Sequence, residues 1–160
     1  MDPYRVREAT LADLETLVRH RHAMFAEMAL PGDYDTMDRE FTEWIKGALS
    51  NKIYYAWLAV TEEGDVGGGG GLSLLPWPPN PVDPGHRLAY VYNVYTEPAH
   101  RRRGLARVIM GVIHDWCREQ GVTTIALHAS EFGRPLYEVL GYRPTTEMRL
   151  SLSRKEIHAH

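Results

Sequence analysis

Apolar residues recur along this chain in two rhythms, one of two residues and one of about 3.6, and the rhythm changes from block to block. Tyr4 to Glu8 alternates as a first strand. Thr10-Leu-Ala-Asp13 then reads as a capping-box-like helix start, with Leu11, Leu14, Val18 and Phe25 as an apolar stripe running to about Met28. Leu30-Pro31-Gly32-Asp33 breaks it. A second helix is predicted from about Thr36 to Leu49, with Met37, Phe41, Trp44, Ile45 and Ala48 on one face. Ile53 to Val60 is a dense second strand, and Glu63-Gly64-Asp65 a hairpin turn. Val66, the glycines Gly67 to Gly71, and Leu72 to Leu75 make a third strand, in which missing side chains let a helix or another backbone come close. A phosphate cradle is disfavoured there, because no helix N-terminus follows the glycines. Pro76 to Gly85 is too proline-rich for a helix or a central strand and reads as a stiff loop.

The stretch Val91 to Gly121 organises the rest. His86 to Thr96 is the central strand, Glu97-Pro98 begins a turn, and Leu105, Val108, Ile109, Val112 and Trp116 stripe a helix that Gly121 ends in a left-handed C′ position. Thr123 to Ala129 follows as an almost continuously apolar strand, covered on both faces. Ser130 to Leu140 is a short helix, and Glu147 to Leu152 a final strand. The order β-α-α-β-β-β-α-β-α-β predicts an α/β fold, a mixed and mostly antiparallel sheet with helices on both faces. The right-handed crossover makes the strands before residue 101 and after residue 121 parallel neighbours.

The turn before the long helix breaks local rules. No Ser, Thr, Asp or Asn stands at the N-cap; Arg101, Arg102 and Arg103 run into Gly104 instead. First-turn N–H groups then lack a side-chain acceptor. Cations at the positive end of the helix dipole cost roughly 0.3–1 kcal/mol each. A bound phosphate would remove both penalties. A solvated arginine cluster is the plain alternative. Neither a Walker P-loop nor a dinucleotide fingerprint is present.

Composition narrows the function classes. At 160 residues the chain is expected to form a single domain over residues 1–160, with an apolar fraction of 44% and a charged fraction of 24%. The net charge of −3 argues against a general nucleic-acid binder, so the arginines are a local feature. Cys117 is alone, which fits a reducing compartment. No signal peptide or membrane-length apolar run is read, and the expected location is the cytoplasm.

Arg101-x-x-Gly104-x-Ala106 resembles the Q/R-x-x-G-x-G/A segment of the GNAT acetyltransferases. Three more stretches resemble that family in the same order. They are Arg7-Glu8-Ala9-Thr10-x-x-Asp13-Leu14, Val66-Gly67-Gly68 through Leu72, and Arg134-Pro135-Leu136-Tyr137-Glu138-x-x-Gly141-Tyr142. The chain departs from it at Ser130 and Gly133, where many members carry Asn and Ala. The resemblance covers about residues 4 to 152 and implies the GNAT fold and an acetyl-CoA-dependent N-acetyltransferase. In it, a primary amine attacks the thioester directly in a ternary complex, with no metal.

The same resemblance assigns the site. Backbone groups of Val94, Tyr95 and Thr96 would pair with the pantetheine arm and polarise the thioester carbonyl. The turn Arg102, Arg103, Gly104, Leu105 and Ala106 would hold the pyrophosphate, with Arg101, Arg103 or Arg107 adding charge. Ser130 and Arg134 would approach the cofactor from the neighbouring helix. Tyr137 is the expected proton donor to the leaving thiolate, since a phenol titrating near pH 10 stays protonated. No general base stands out; Glu97, Glu27, Asp33 and Asp35 are the acidic residues in the region. Tyr90, Tyr92, Asn93, Tyr95, Phe25, Tyr34 and Trp77 are candidate pocket residues. His20 and His22, two apart on a helix, share no face, and His158 and His160 are expected at a frayed terminus, so neither pair is read as a metal site, while His114 and His128 read as structural. Two rival functions remain open: a silent acyl-CoA-binding sensor or structural module of the same fold, and an arginine-driven nucleic-acid binder. The acceptor is unspecified, nucleic-acid and membrane partners are not expected, and a homodimer is compatible with the family without support from any feature of the chain.

Overall fold

A computed structural model of the chain describes residues 3–153; His158 and His160 lie outside the described residues. The strands β1 (Tyr4–Glu8), β2 (Tyr54–Thr61), β3 (Val66–Pro76), β4 (Arg87–Thr96) and β5 (Ile125–Leu127) form one sheet in the order β1-β2-β3-β4-β5. The first three neighbour pairs are antiparallel and β4–β5 is parallel, as the crossover rule requires. The helices are α1 (Leu14–Glu27), α2 (Tyr34–Ser50), α3 (Leu105–Glu119) and α4 (Arg134–Val139). Among the described residues no helix is long and apolar enough to cross a membrane.

Strand alternation sorts side chains between two cores. On β2, Tyr54, Ala56, Leu58 and Val60 join Leu17 of α1 and Phe41, Ile45 and Ala48 of α2. Trp57 and Ala59 face the other way, towards Leu105, Ile109, Met110, Ile113 and Cys117 of α3. Each Leu, Ile, Val, Phe or Met side chain so buried stabilises the fold by about 1.5–3 kcal/mol. The buried stripe of α3 is rotated from the expected one: Met110, Ile113 and Cys117 take the core, while Val108, Val112 and Trp116 sit at its margin. Both stripes obey helical spacing, and the sheet selects the one that faces it.

The glycine run does what its missing side chains suggest. A Cβ on Gly70 would stand 3.1 Å from Ile109 Cγ2, and one on Gly67 would stand 3.0 Å from Leu105 Cδ2. The bare β3 backbone therefore lets α3 lie close to the sheet. Caps fix the other helices. The Thr10 side chain accepts from Ala12 N, and Asp13 returns a bond from Thr10 N at 2.8 Å while holding Arg7 at 2.8 Å. Asp33 caps α2 by accepting from Thr36 N at 3.0 Å.

Two expectations are corrected. The strand expected over residues 123–129 forms only from Ile125 to Leu127, and all three of these residues are half-buried rather than covered on both faces. The final strand expected over 147–152 does not form: those residues join no ladder, and Met148, Leu150 and Leu152 are 94%, 81% and 90% exposed. Alternation makes a segment able to pair, but pairing also needs an edge. Three-residue β5 offers little of one.

Candidate functional site

The site grows from an irregularity in β4. Tyr92 pairs with Gly71 and Tyr95 with Gly69, so β4 spends one residue more than β3 over this interval. The extra residue is a β-bulge at Asn93–Val94, with Asn93 at φ +62°. Asn is among the few side chains that tolerate that conformation. On its other edge β4 pairs with β5 only through Ala89, Tyr90 and Val91. From Tyr92 to Thr96 that edge has no strand partner among the described residues, which leaves a gap at the carboxyl ends of the parallel pair. Open α/β sheets place ligands at such ends.

The same end of the sheet carries the turn into α3. Gly104 is the N-cap at φ +72°, with no side-chain cap bond, and Arg102 also lies at φ +63°. The first helix-closing bond runs from Val108 N to Gly104 O at 3.2 Å. The N–H groups from Arg102 to Arg107 have no acceptor among the described residues. Positive-φ residues next to a free helix N-terminus form a concavity of N–H groups that suits an anion. A glycine at 104 satisfies this backbone without strain.

The predicted side chains divide. Leu105 is buried in the α3 core, so only its backbone reaches the turn. Arg102 and Arg107 are exposed, and Arg103 donates to the Tyr4 hydroxyl at 3.2 Å. Arg101 is already paired: Nη2 stands 2.7 Å from Glu27 Oε2, Nε donates to Thr96 O at 3.1 Å, and Glu27 also accepts from the Tyr95 hydroxyl at 2.9 Å. That triad ties α1 to the end of β4. Ser130 Oγ accepts from Gly133 N at 3.0 Å, and Arg134 Nε donates to Glu138 at 2.8 Å, so both are engaged within the α4 segment. The Tyr137 hydroxyl has no hydrogen-bond partner among the described residues, yet every buried side-chain oxygen has one, so the hydroxyl reaches solvent. Burial of its ring raises its pKa and keeps it protonated.

Glu97 does not face open solvent. It accepts from His20 Nε2 at 2.9 Å and from Arg19 at 2.6 Å. An ionised carboxylate can only accept, so His20 carries its proton on Nε2. Burial pushes the Glu97 carboxyl up, but the bonds from His20 and Arg19 outweigh it and hold the pKa below the usual value. Of the candidate pocket residues, Tyr92 stacks on Tyr54 at 5.2 Å and bonds Ser73, and Tyr90 packs edge-on to His128 at 5.5 Å. Tyr34 meets His22 at 4.9 Å, and Trp77 stands half-exposed on the loop after β3. One cleft lies between α1 and α2 at Val18, His22 and Asp38, and another beside Glu97 and His100.

A family model, Acetyltransferase (GNAT) family, matches residues 15–142. The chain belongs to the GNAT family. Among solved GNAT relatives, a GCN5-related N-acetyltransferase from Ralstonia eutropha JMP134 superposes with a TM-score of 0.86 at 35% identity, over 93% of this chain and 98% of that one. A predicted acetyltransferase from Clostridium acetobutylicum, solved with acetyl-CoA, gives 0.85 at 27% identity over 93% and 96%. N-acetyltransferase Eis from Mycobacterium tuberculosis is 38% identical over 68 residues, which are 42% of this chain and 16% of Eis. The five-stranded sheet with helices on both faces is thus the GNAT architecture. Sequence reasoning missed the β4 bulge, the Glu27–Arg101–Tyr95 tie and the pairing of buried His20 with Glu97. Their only sequence signals were an Asn inside a β run and acidic residues far from their partners along the chain.

Proposed function

We propose that this GNAT protein is an N-acetyltransferase that moves an acetyl group from acetyl-CoA to a primary amine by direct attack in a ternary complex. One observation carries the reading: among the described residues, the β4 edge at the Asn93–Val94 bulge has no strand partner and runs into an uncapped α3 turn whose N–H groups have no acceptor. The turn fits diphosphate and the edge fits an amide-bearing arm; the acetyl-CoA in the Clostridium relative agrees with both. Acetyl-CoA supplies an acetyl group activated as a thioester.

The chain's residues do the rest. N–H groups of Arg102, Arg103, Gly104, Leu105 and Ala106 take phosphate oxygens, with Arg103 and Arg107 adding positive charge. Peptide groups of Val94, Tyr95 and Thr96 pair with the arm as a strand would, and an N–H at the bulge donates to the thioester oxygen as negative charge gathers there. A donor so placed contributes about 2.7–4 kcal/mol. Arg101 orders this end of β4 through Glu27 and Thr96 rather than binding phosphate. The amine nitrogen forms the new C–N bond as C–S breaks and loses its proton to water. Tyr137, protonated and open to solvent, gives its proton to the departing thiolate. Ser130, which holds the turn into α4, and Arg134, at the start of α4, approach the cofactor from that helix. Amine-dependent release of CoA, with mass spectrometry of the acetylated product, tests the reading. Binding of acetyl-CoA without turnover of any amine would instead favour the silent acyl-CoA-binding module.

A further inference from the structure

Arg21 sits where the α1 stripe of Leu14, Val18 and Phe25 calls for an apolar residue. Its helix neighbours three and four residues away are Leu17, Val18, Met24 and Phe25, so no local acid pairs with it. Among the described residues no carboxylate forms an ion pair with it. Aromatic rings hold the guanidinium instead, with its carbon 4.8 Å from the Phe25 centroid and 5.0 Å from that of Phe41. Nη1 donates to Asn93 Oδ1 at 2.6 Å, and Asn93 Nδ2 donates to the Tyr54 hydroxyl at 3.1 Å. Burial lowers the pKa of Arg21, the mark of a cation short of compensation.

The bond to Asn93 occupies Nη1 and leaves the Nε–Nη2 edge without a described partner. Every fully buried side-chain nitrogen among the described residues has a partner, so that edge keeps contact with solvent. It is the planar fork that takes both oxygens of a carboxylate. Asn93 is also the bulge residue of β4, so the fork lies beside the stretch assigned above to the thioester.

We infer that Arg21 binds the carboxylate of the acceptor, and that the acceptor is a small amino acid acetylated on its free amine. The inference rests on the N-acetyltransferase reading and narrows it. A neutral or purely cationic amine leaves the guanidinium uncompensated, whereas an amino acid brings the missing charge and the nucleophile together.

The test is a panel of the twenty amino acids and their C-terminal amides, followed by CoA release from acetyl-CoA, with wild type, Arg21→Lys and Arg21→Met. Methionine keeps an unbranched stem against Phe25 and Phe41. At least one free acid should exceed its amide in kcat/KM by about 100-fold, the factor expected for a lost charge-assisted bond. The ratio should fall near unity in Arg21→Met through KM, with Arg21→Lys between. Calorimetric binding of that acid to the CoA-loaded protein should be lost in Arg21→Met. The acid-to-amide comparison in wild type stands even if a variant fails to fold. Amides as good as acids, a preference that survives in Arg21→Met, or no amino acid turned over by a protein that binds acetyl-CoA would overturn the inference. Absence of acetyl-CoA binding by folded wild type removes the underlying reading as well, and calorimetry with acetyl-CoA distinguishes the two failures.

Discussion

Alanine in place of Gly68 would push two strands apart at the site. Its Cβ would stand 2.6 Å from the Tyr95 carbonyl oxygen and 3.3 Å from Thr96 Cα, both main-chain atoms. Favourable carbon–oxygen contacts between strands begin at about 3.3 Å, so β3 and β4 must separate by roughly 0.7 Å where they are hydrogen-bonded. Overpacking costs about 1–3 kcal/mol. Lower entropy of the unfolded chain returns about 0.4–1 kcal/mol. The obstruction is backbone held in a ladder, so the upper part of the cost applies and the net loss is roughly 2 kcal/mol. With a urea slope of about 2 kcal/mol/M the midpoint falls by about 1 M. Gly70→Ala is the internal comparison. Its Cβ would meet only side-chain methyls, Ile109 Cγ2 at 3.1 Å, Val94 Cγ2 at 3.3 Å and Ile113 Cδ1 at 3.4 Å, which need give by only a few tenths of an ångström. It should lose under about 1 kcal/mol. Urea unfolding followed by circular dichroism reads both. A Gly68→Ala midpoint at or above wild type, or a smaller loss than Gly70→Ala, would refute the close-approach argument.

Tyr137→Phe should lower kcat about 100-fold with little change in KM, measured by CoA release, because it removes the proposed proton donor and leaves binding intact. Asp13→Ala should cost about 1–2 kcal/mol at pH 7, read from urea midpoints, since it removes half of the capping box and the partner of Arg7. The hydrogen bond from Arg7 holds the Asp13 pKa below the usual value against burial. That stabilisation is therefore present above the ordinary carboxylate range and lost as pH falls through the lower folded value, and the gap between wild type and variant should close there. His20 behaves differently: burial lowers its pKa despite the Glu97 bond, so the unfolded state takes up the proton first. Wild-type stability should drop as pH falls below about 6.5, and His20→Gln should flatten that slope in paired midpoints at neutral and mildly acid pH.

Patterns carried by near neighbours in sequence were legible, and patterns set by distant partners were not. The Thr10–Asp13 box, the left-handed Gly121, the missing cap at Gly104 and the parallel β4–β5 pair follow from local chemistry or a handedness rule. The true face of α3 was not legible, because Val112 and Ile113 are equally apolar and only the sheet chooses between them. The absent 147–152 strand shows the limit of alternation, which says what can pair but not whether an edge is free. At the site, the uncapped turn before α3 was visible as a broken rule. Arg101 was not separable from Arg103 in sequence, since its partner Glu27 lies on another element. Arg21 was visible only as a charge in an apolar stripe, a signal that needs the opposing α2 and β4 to mean anything.

The central claim is that the α3 turn and the β4 edge hold acetyl-CoA, and calorimetric titration tests it most directly. Wild type should bind acetyl-CoA and CoA saturably, and an Arg103→Glu, Gly104→Asp double variant that stays folded should lose both, because it places carboxylates where the phosphates would lie. Failure of folded wild type to bind either ligand, or undiminished binding by the variant, would contradict it.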